Sequence, residues 1–375
     1  MELLVVAVEA SADLHGAAVL RELKRLRPEV RAFGAGGPRM RAEGCEILVR
    51  AEDLSVMGFV EVLPALPRIL KALGTLRRAA AERRPRAALL IDSPDFNLRL
   101  AGKLRGLGVR VAYFIGPSVW AWRTYRVKQI ARDVSRMLVI LPFEAAFYAQ
   151  HGVQAVYVGN PLADDRQALP TGNLRATLGL REGAPVLALL PGSRRQEIAR
   201  LWEPMLAAAR RLRIEDPKLQ LVTPVAPTVD RAAFEAQSAG MGVVFVDGRA
   251  PDVLAACDAA VVASGTATLE AALALAPTVV VYRMSWLSWL IGRLLVRVRH
   301  VSLINLLAGR GLVPELLQRQ CTPARIADQV RPLLGPGPAR EAQREGMKEI
   351  RDRLLPAGAA RADARAAREV LELLG

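Results

Sequence analysis

The chain has 375 residues, 52% of them hydrophobic, which is enough to bury two cores of ordinary domain size and excludes an intrinsically disordered chain. Its 52 Lys and Arg against 37 Asp and Glu leave a formal charge of +15, a balance that favours anionic partners, nucleic acid and acidic lipid surfaces alike. Cys45, Cys257 and Cys321 form no C-x-x-C pair, so neither a disulfide framework nor a zinc site is indicated, and a reducing cytosol suits them.

The opening MELLVVAVEA lacks the basic start and cleavage site of a signal peptide, and Leu3–Val8 reads as a first β-strand. In the turn VEASADLHG, Glu9, Ser11 and Asp13 precede a helical stretch at Gly16–Leu26. Either Ser11 or Asp13 caps that helix, or the loop faces a substrate. No G-x-G-x-x-G is present, so a dinucleotide fingerprint is not supported. From Val62 to Arg78, Leu63, Leu66, Ile69, Leu70, Leu73 and Leu76 recur at helical spacing beside Arg68, Lys71, Arg77 and Arg78. This is either a core-facing helix with a basic outer face or a helix for a membrane surface.

A strand at Ala87–Ile91 runs into Asp92-Ser93-Pro94-Asp95-Phe96-Asn97. A carboxylate at a strand's carboxyl end is well placed for general-base work, whereas Asp95 behind Pro94 reads as a helix-start residue, so Asp92 is the favoured base. That both only cap and hold the loop stays open. A helix at Leu98–Leu107, strands at Val109–Phe114 and Met137–Leu141, and a Pro/Gly-bearing linker around Gly159–Gly183 follow. Between those strands VWAWR, Val119–Arg123, is expected to pack at a domain interface rather than to stack nucleic acid.

A second series has strands at Val186–Leu190, Leu219–Thr223, Val243–Val246, Ala259–Val262 and Thr278–Tyr282, the pattern of a second parallel α/β domain. After the first of these comes Pro191-Gly192-Ser193-Arg194. Gly192 lets backbone approach a ligand, Ser193 can cap, and Arg194 offers a fork for phosphate oxygens at a helix start. After the fourth, Ser264, Gly265, Thr266 and Thr268 crowd a helix start that carries Glu270. These residues expose backbone N–H groups to a phosphate, or Thr266 and Glu270 form a capping box. In MSWLSWLIGRLLVRVRH, Trp286 and Trp289 beside Arg293, Arg297 and Arg299 suit an interface with lipid. The tail from Pro338 is expected to be helical and to pack back on the body. Dispersed His15, His151 and His300 predict no catalytic metal, and no stretch reaches the roughly 18 to 20 apolar residues of a membrane span. Any membrane association is therefore expected to be peripheral.

Several longer segments carry a resemblance. GGPRM (Gly36–Met40), VMGFVEVL (Val56–Leu63), DSPDFN (Asp92–Asn97), PSVWAW (Pro117–Trp122), LPFEAAFY, LLPGSR (Leu189–Arg194), ASGTATLE (Ala263–Glu270), YRM (Tyr282–Met284) and SLINLLAG (Ser302–Gly309) resemble, in collinear order, the lipid-A-disaccharide synthase family. The resemblance implies a GT-B fold, in which two Rossmann-like domains with parallel sheets face a central cleft. The implied division is 1–165 for the acceptor and lipid, 175–337 for the UDP-sugar, and a helical tail at 338–375 that packs on the body or on a partner subunit.

The resemblance further implies transfer of 2,3-diacylglucosamine from UDP-2,3-diacylglucosamine to 2,3-diacylglucosamine 1-phosphate, with Asp92 as the essential aspartate and Arg194 on the diphosphate. Gly192, Ser193, Ser264, Gly265, Thr266, Glu270 and Asn305 would then approach UDP, and Glu9, Ser11, Asp95 and Asn97 would lie on the acceptor side. No cofactor and no nucleic-acid partner are expected, the site of action is the inner face of the inner membrane, and a homodimer is suggested by the family. The family's first loop has glycine where this chain has Val8 and Ala12, and a positive φ at Ala12 would carry strain. The alternatives are another UDP-sugar enzyme of the same fold, such as a non-hydrolysing UDP-N-acetylglucosamine 2-epimerase, or a non-catalytic basic membrane-binding protein.

Overall fold

The computed structural model describes the chain except for residues 55–61, 165–172, 227–228, 287–288, 290–291, 293–297 and 356–357. It divides into two compact units, Met1–Asp164 with Leu354–Gly375, and Asp165–Arg353.

In chain order the first unit runs β1 (Glu2–Ala7), α1 (Ala10–Leu26), β2 (Arg31–Gly36), α2 (Pro38–Ala42), β3 (Glu46–Arg50), α3 (Val62–Arg83), β4 (Ala87–Ile91), α4 (Pro94–Arg105), β5 (Arg110–Phe114), α5 (Arg126–Asp133), β6 (Arg136–Val139), α6 (Pro142–Ala149), β7 (Ala155–Tyr157) and α7 (Pro161–Asp164). Its strands form one parallel sheet in the order β3-β2-β1-β4-β5-β6-β7. A central parallel strand is covered on both faces, so it reads as an unbroken apolar run. Leu4 and Val6 of β1 accordingly pack with Leu73 and Leu76 of α3 and Leu100 of α4 on one face. On the other, Leu3 and Val5 meet Leu20 and Leu23 of α1.

The second unit runs α8 (Leu174–Thr177), β8 (Val186–Leu190), α9 (Arg195–Glu215), β9 (Gln220–Val225), α10 (Arg231–Gln237), β10 (Val243–Asp247), α11 (Ala250–Ala256), β11 (Ala259–Ala263), α12 (Thr266–Leu273), β12 (Thr278–Tyr282), α13 (Leu303–Ala308), β13 (Glu315–Leu317), α14 (Pro323–Leu334) and α15 (Pro338–Leu354). Its parallel sheet has the order β10-β9-β8-β11-β12-β13. The expected tail is not one piece. The Thr278 N–H donates to Gln343 of α15 within the second unit, while α16 (Ala362–Leu374) buries Ala366, Ala367 and Val370 in the core of the first.

Strand order reverses between β1 and β4 in the first sheet and between β8 and β11 in the second. In open parallel sheets ligands bind beyond the carboxyl ends at these switch points. The turns after β1, β4, β8 and β11 hold Glu9, Asp92, Gly192 and Gly265.

Candidate active site

The first switch point is built around a strained turn. Asp92 and Ser93 both take left-handed backbone, with φ of 52° and 43°, and Pro94 then opens α4. The Asp92 N–H donates to the Phe114 carbonyl at 3.0 Å. Its own carbonyl accepts from the Tyr113 hydroxyl at 2.6 Å and from Asn97 Nδ2 at 2.8 Å. Burial pushes the Asp92 carboxyl above its ordinary value; the Ser93 backbone N–H opposes that shift and the nearby Glu9 charge adds to it. Across the switch point the Ser93 hydroxyl donates to Glu9 Oε1 at 3.0 Å, so the turns after β1 and β4 are joined.

The first turn differs from expectation. α1 begins at Ala10 with exposed Glu9 as its N-cap and no side-chain cap, so Ser11 lies exposed inside the first helical turn. Asp13 does not cap α1 either. It is 3% exposed and accepts from the N–H groups of Gly37, Arg39 and Met40 at 2.7, 3.1 and 3.1 Å, capping α2 from a neighbouring helix. A Cβ on Gly37 would stand 2.7 Å from Asp13 Oδ2, which accounts for glycine there. Ala12 is buried and helical and has no positive φ, so the strain expected on replacing the family's glycine does not arise.

The acceptor-side pair separates. Asp95 is open, 73% of its side chain exposed, and pairs with Arg126 and Arg123. Asn97 is fully buried and holds the carbonyls of Ile91 and Asp92 through Nδ2. The expectation that Asn97 faces an acceptor is corrected, because no atom of it reaches the open side. VWAWR is likewise anchored within the first unit. Trp120 Nε1 donates to Glu144 at 3.0 Å and its ring meets Phe143 edge-on. Glu144, 3% exposed, also accepts from the N–H groups of Ile140 and Leu141, and burial pushes its carboxyl up to about 7.

The second switch point is made of glycine and helix starts. Gly192 has φ +107°, and a Cβ on it would meet Glu197 Oε2 at 2.4 Å. α9 takes Arg194 as its N-cap residue, with no side-chain cap, and Ser193 stands one residue before it. The Arg194 side chain is 79% exposed and pairs with Glu197 at 2.8 Å. α12 has Gly265 as N-cap, φ 152°, with no side-chain cap. Thr266 is the exposed first helical residue, and the first turn holds no acidic group. Glu270 therefore lies in the second turn, and the capping-box alternative is corrected. Ser264 donates to the Val301 carbonyl, and Thr268, fully buried, donates to that of Gly265.

Asn305, expected near UDP, is 1% exposed. Its amide is closed on itself, with Nδ2 donating to Val313 O and Glu315 Oε1 and Oδ1 accepting from Val313 N. Glu315 also accepts from the Ser302 N–H and hydroxyl, 2.9 and 2.7 Å, at the start of α13. Sequence reading missed Tyr113, Glu144 and Glu315. A tyrosine near the end of a buried strand, and a glutamate three residues into a Pro-led helix, were the available signals.

Of the two segments expected to suit a membrane surface, α3 buries Leu73 and Leu76 while Leu66 and Leu70 stay exposed. The side chain of Leu63, most of VMGFVEVL, Arg293 and Arg297 lie outside the described residues. Trp286 is exposed and Trp289 half-buried. No helix among the described residues is long and apolar enough to cross a membrane.

Known proteins share this architecture. A solved S. aureus MnaA–UDP co-structure superposes with TM-score 0.65 at 11% identity, covering 99% of this chain and 94% of that one. The calicheamicin glycosyltransferase CalG4 does so with TM-score 0.61 at 16% identity, covering 100% and 98%. At such identities these neighbours establish the fold, which is GT-B. A lipid-A-disaccharide synthase of Anaeromyxobacter sp. (strain K) is 54% identical over 376 residues, 100% of this chain and 97% of the relative. The family model described as lipid-A-disaccharide synthetase matches residues 3–370. With both switch points inside that match, the chain belongs to the lipid-A-disaccharide synthetase family, glycosyltransferases of lipid A biosynthesis.

Proposed function

We propose that the chain transfers 2,3-diacylglucosamine from its UDP donor to the 6-hydroxyl of 2,3-diacylglucosamine 1-phosphate, inverting the anomeric centre and releasing UDP. The observation that carries this reading is Asp92, a carboxylate beside a switch point whose proton affinity is raised by burial. A carboxylate whose proton affinity is raised takes a hydroxyl proton more readily. On this reading Asp92 deprotonates the acceptor as it attacks, with Glu9, Ser11 and Asp95 around the acceptor in a first domain that also holds the lipid.

General-base catalysis supplies about 10²- to 10⁴-fold, so stabilisation of the departing UDP must add to it. Arg194 and the backbone at Gly192, Ser193, Ser264, Gly265 and Thr266 do this by charge and by helix-start N–H groups, and Glu270 holds the ribose. No metal takes part. The exposed Leu66 and Leu70 beside Arg68 and Lys71 on α3, with the formal charge of +15, support peripheral attachment to the anionic inner face of the inner membrane. A homodimer belongs to the same reading and rests on the family alone.

The test is disaccharide 1-phosphate formation in detergent micelles by the wild-type chain and by Asp92→Asn, with and without EDTA. Product from wild type, lost in the Asn variant and indifferent to EDTA, is expected. An Asn variant as fast as wild type removes Asp92 from its role, and no product from folded wild type removes the substrate assignment.

A further inference from the structure

We infer that Tyr113, together with Asn97, is a positioning residue for the transfer: their side chains clamp the strained backbone on which the Asp92 carboxylate is mounted. The inference rests on the reading of Asp92 as the base.

Left-handed backbone is unfavourable for any L residue other than glycine, and here two such residues, Asp92 and Ser93, stand in a row. Such strain persists only where surrounding structure over-determines it. Asp92 is held at both ends. Its N–H donates to Phe114 O at 3.0 Å, and its carbonyl receives Tyr113 Oη at 2.6 Å and Asn97 Nδ2 at 2.8 Å. Asn97 Nδ2 also spans to Ile91 O at 3.0 Å, while its buried Oδ1 has no hydrogen-bond partner among the described residues. That amide is retained for its donor alone, at the expense of an unmatched acceptor. Tyr113 is equally telling. It is 0% exposed on a central strand, where phenylalanine would pack as well, and its hydroxyl is directed at the Asp92 carbonyl. The titratable and charged groups around Asp92 and Tyr113 are Glu9 from the β1–α1 turn, Asp95 from α4, Arg126 from α5 and Tyr148 from α6.

Tyr113→Phe removes only the hydroxyl. In the micelle assay it is expected to lower kcat about tenfold, the rate equivalent of one lost buried hydrogen bond, with KM unchanged. The acid limb of the pH profile should move to lower pH, because a relaxed carboxylate regains water. Asn97→Leu, which removes the other donor at similar volume, should act in the same direction, with thermal unfolding recorded for both. In the Asp92→Asn background, Tyr113→Phe should cause no further loss in single-turnover assays, since it acts through the group already removed. A Tyr113→Phe enzyme with wild-type kcat and pH profile, beside an inactive Asp92→Asn, overturns the inference alone. So does an equal fractional loss in both backgrounds. An Asp92→Asn enzyme as fast as wild type instead overturns the base reading, and the inference falls with it.

Discussion

The two switch points use opposite means. In the first unit the turn after β4 contains no glycine at its left-handed positions, and buried side chains, Tyr113 and Asn97, force the shape. In the second, Gly192 and Gly265 supply the unusual backbone themselves, and Ser193, Arg194 and Thr266 stand exposed. On the proposed reading a proton acceptor must be a side chain at a fixed point, which suits a strained first turn that carries Asp92. A phosphate is met by N–H groups and a reachable guanidinium, so the second turn keeps its side chains out of the way. The largest effect should therefore come from Asp92→Asn, a fall in transfer rate of about 10²- to 10⁴-fold without loss of folding. A loss below tenfold would remove the functional contrast between the turns.

The next effect probes how rigidly the first unit is built. Glu144 fixes Trp120 from a buried position, and its folded proton affinity corresponds to about 7 against an ordinary 4.5. Because the folded state holds this proton more tightly, it binds more protons than the unfolded chain between those values. Stability must then fall as pH rises across that window, by roughly 3 kcal/mol from this group. Glu144→Gln lacks the titration, so denaturant melts from pH 4.5 to 7.5 should show a flatter pH dependence than wild type. Parallel curves would mean that Glu144 ionises freely.

In the second unit, Arg194→Ala should lower kcat and UDP affinity together, each by about 10- to 100-fold, the range for a charge-assisted hydrogen bond. Retained UDP binding, measured by calorimetry, would leave the turn after β8 to its backbone alone.

Much of this was legible in advance, and the failures share a cause. β1, β4, β8 and β12 are central or nearly so, buried on both faces, and stand out as apolar runs. β3, β7 and β13 are edge strands only three to five residues long, and an edge need not be apolar on both faces. β2 escaped because of Gly34, where a Cβ would lie 2.0 Å from the Val5 carbonyl: close strand approach put a turn-like residue inside a strand. At the candidate site, Asp92, Gly192 and Arg194 stand out in the sequence because their residue types fall in the turns after β4 and β8. Asn97 and Asn305 misled because an asparagine that closes backbone and one that meets a ligand read alike; only partners such as Ile91 O and Val313 N tell them apart.

The smallest effect tests whether glycine in the second turn is there for shape. Gly192→Ala sets a Cβ on backbone at φ +107°, 2.4 Å from Glu197 Oε2 and 3.1 Å from its Cβ. The carboxylate end can swing aside at little cost, but the Glu197 Cβ is fixed to α9, so backbone strain of about 1–3 kcal/mol remains. Displacing that carboxylate also breaks its pair with Arg194, an exposed contact worth about 1 kcal/mol at most. Thermal stability should therefore drop by a few degrees while UDP affinity falls less than in Arg194→Ala, since the guanidinium is released rather than lost. If UDP binding instead collapses with stability intact, the close approach of backbone to phosphate at Gly192 outweighs the arginine, and the second turn is a backbone site that Arg194 only supplements.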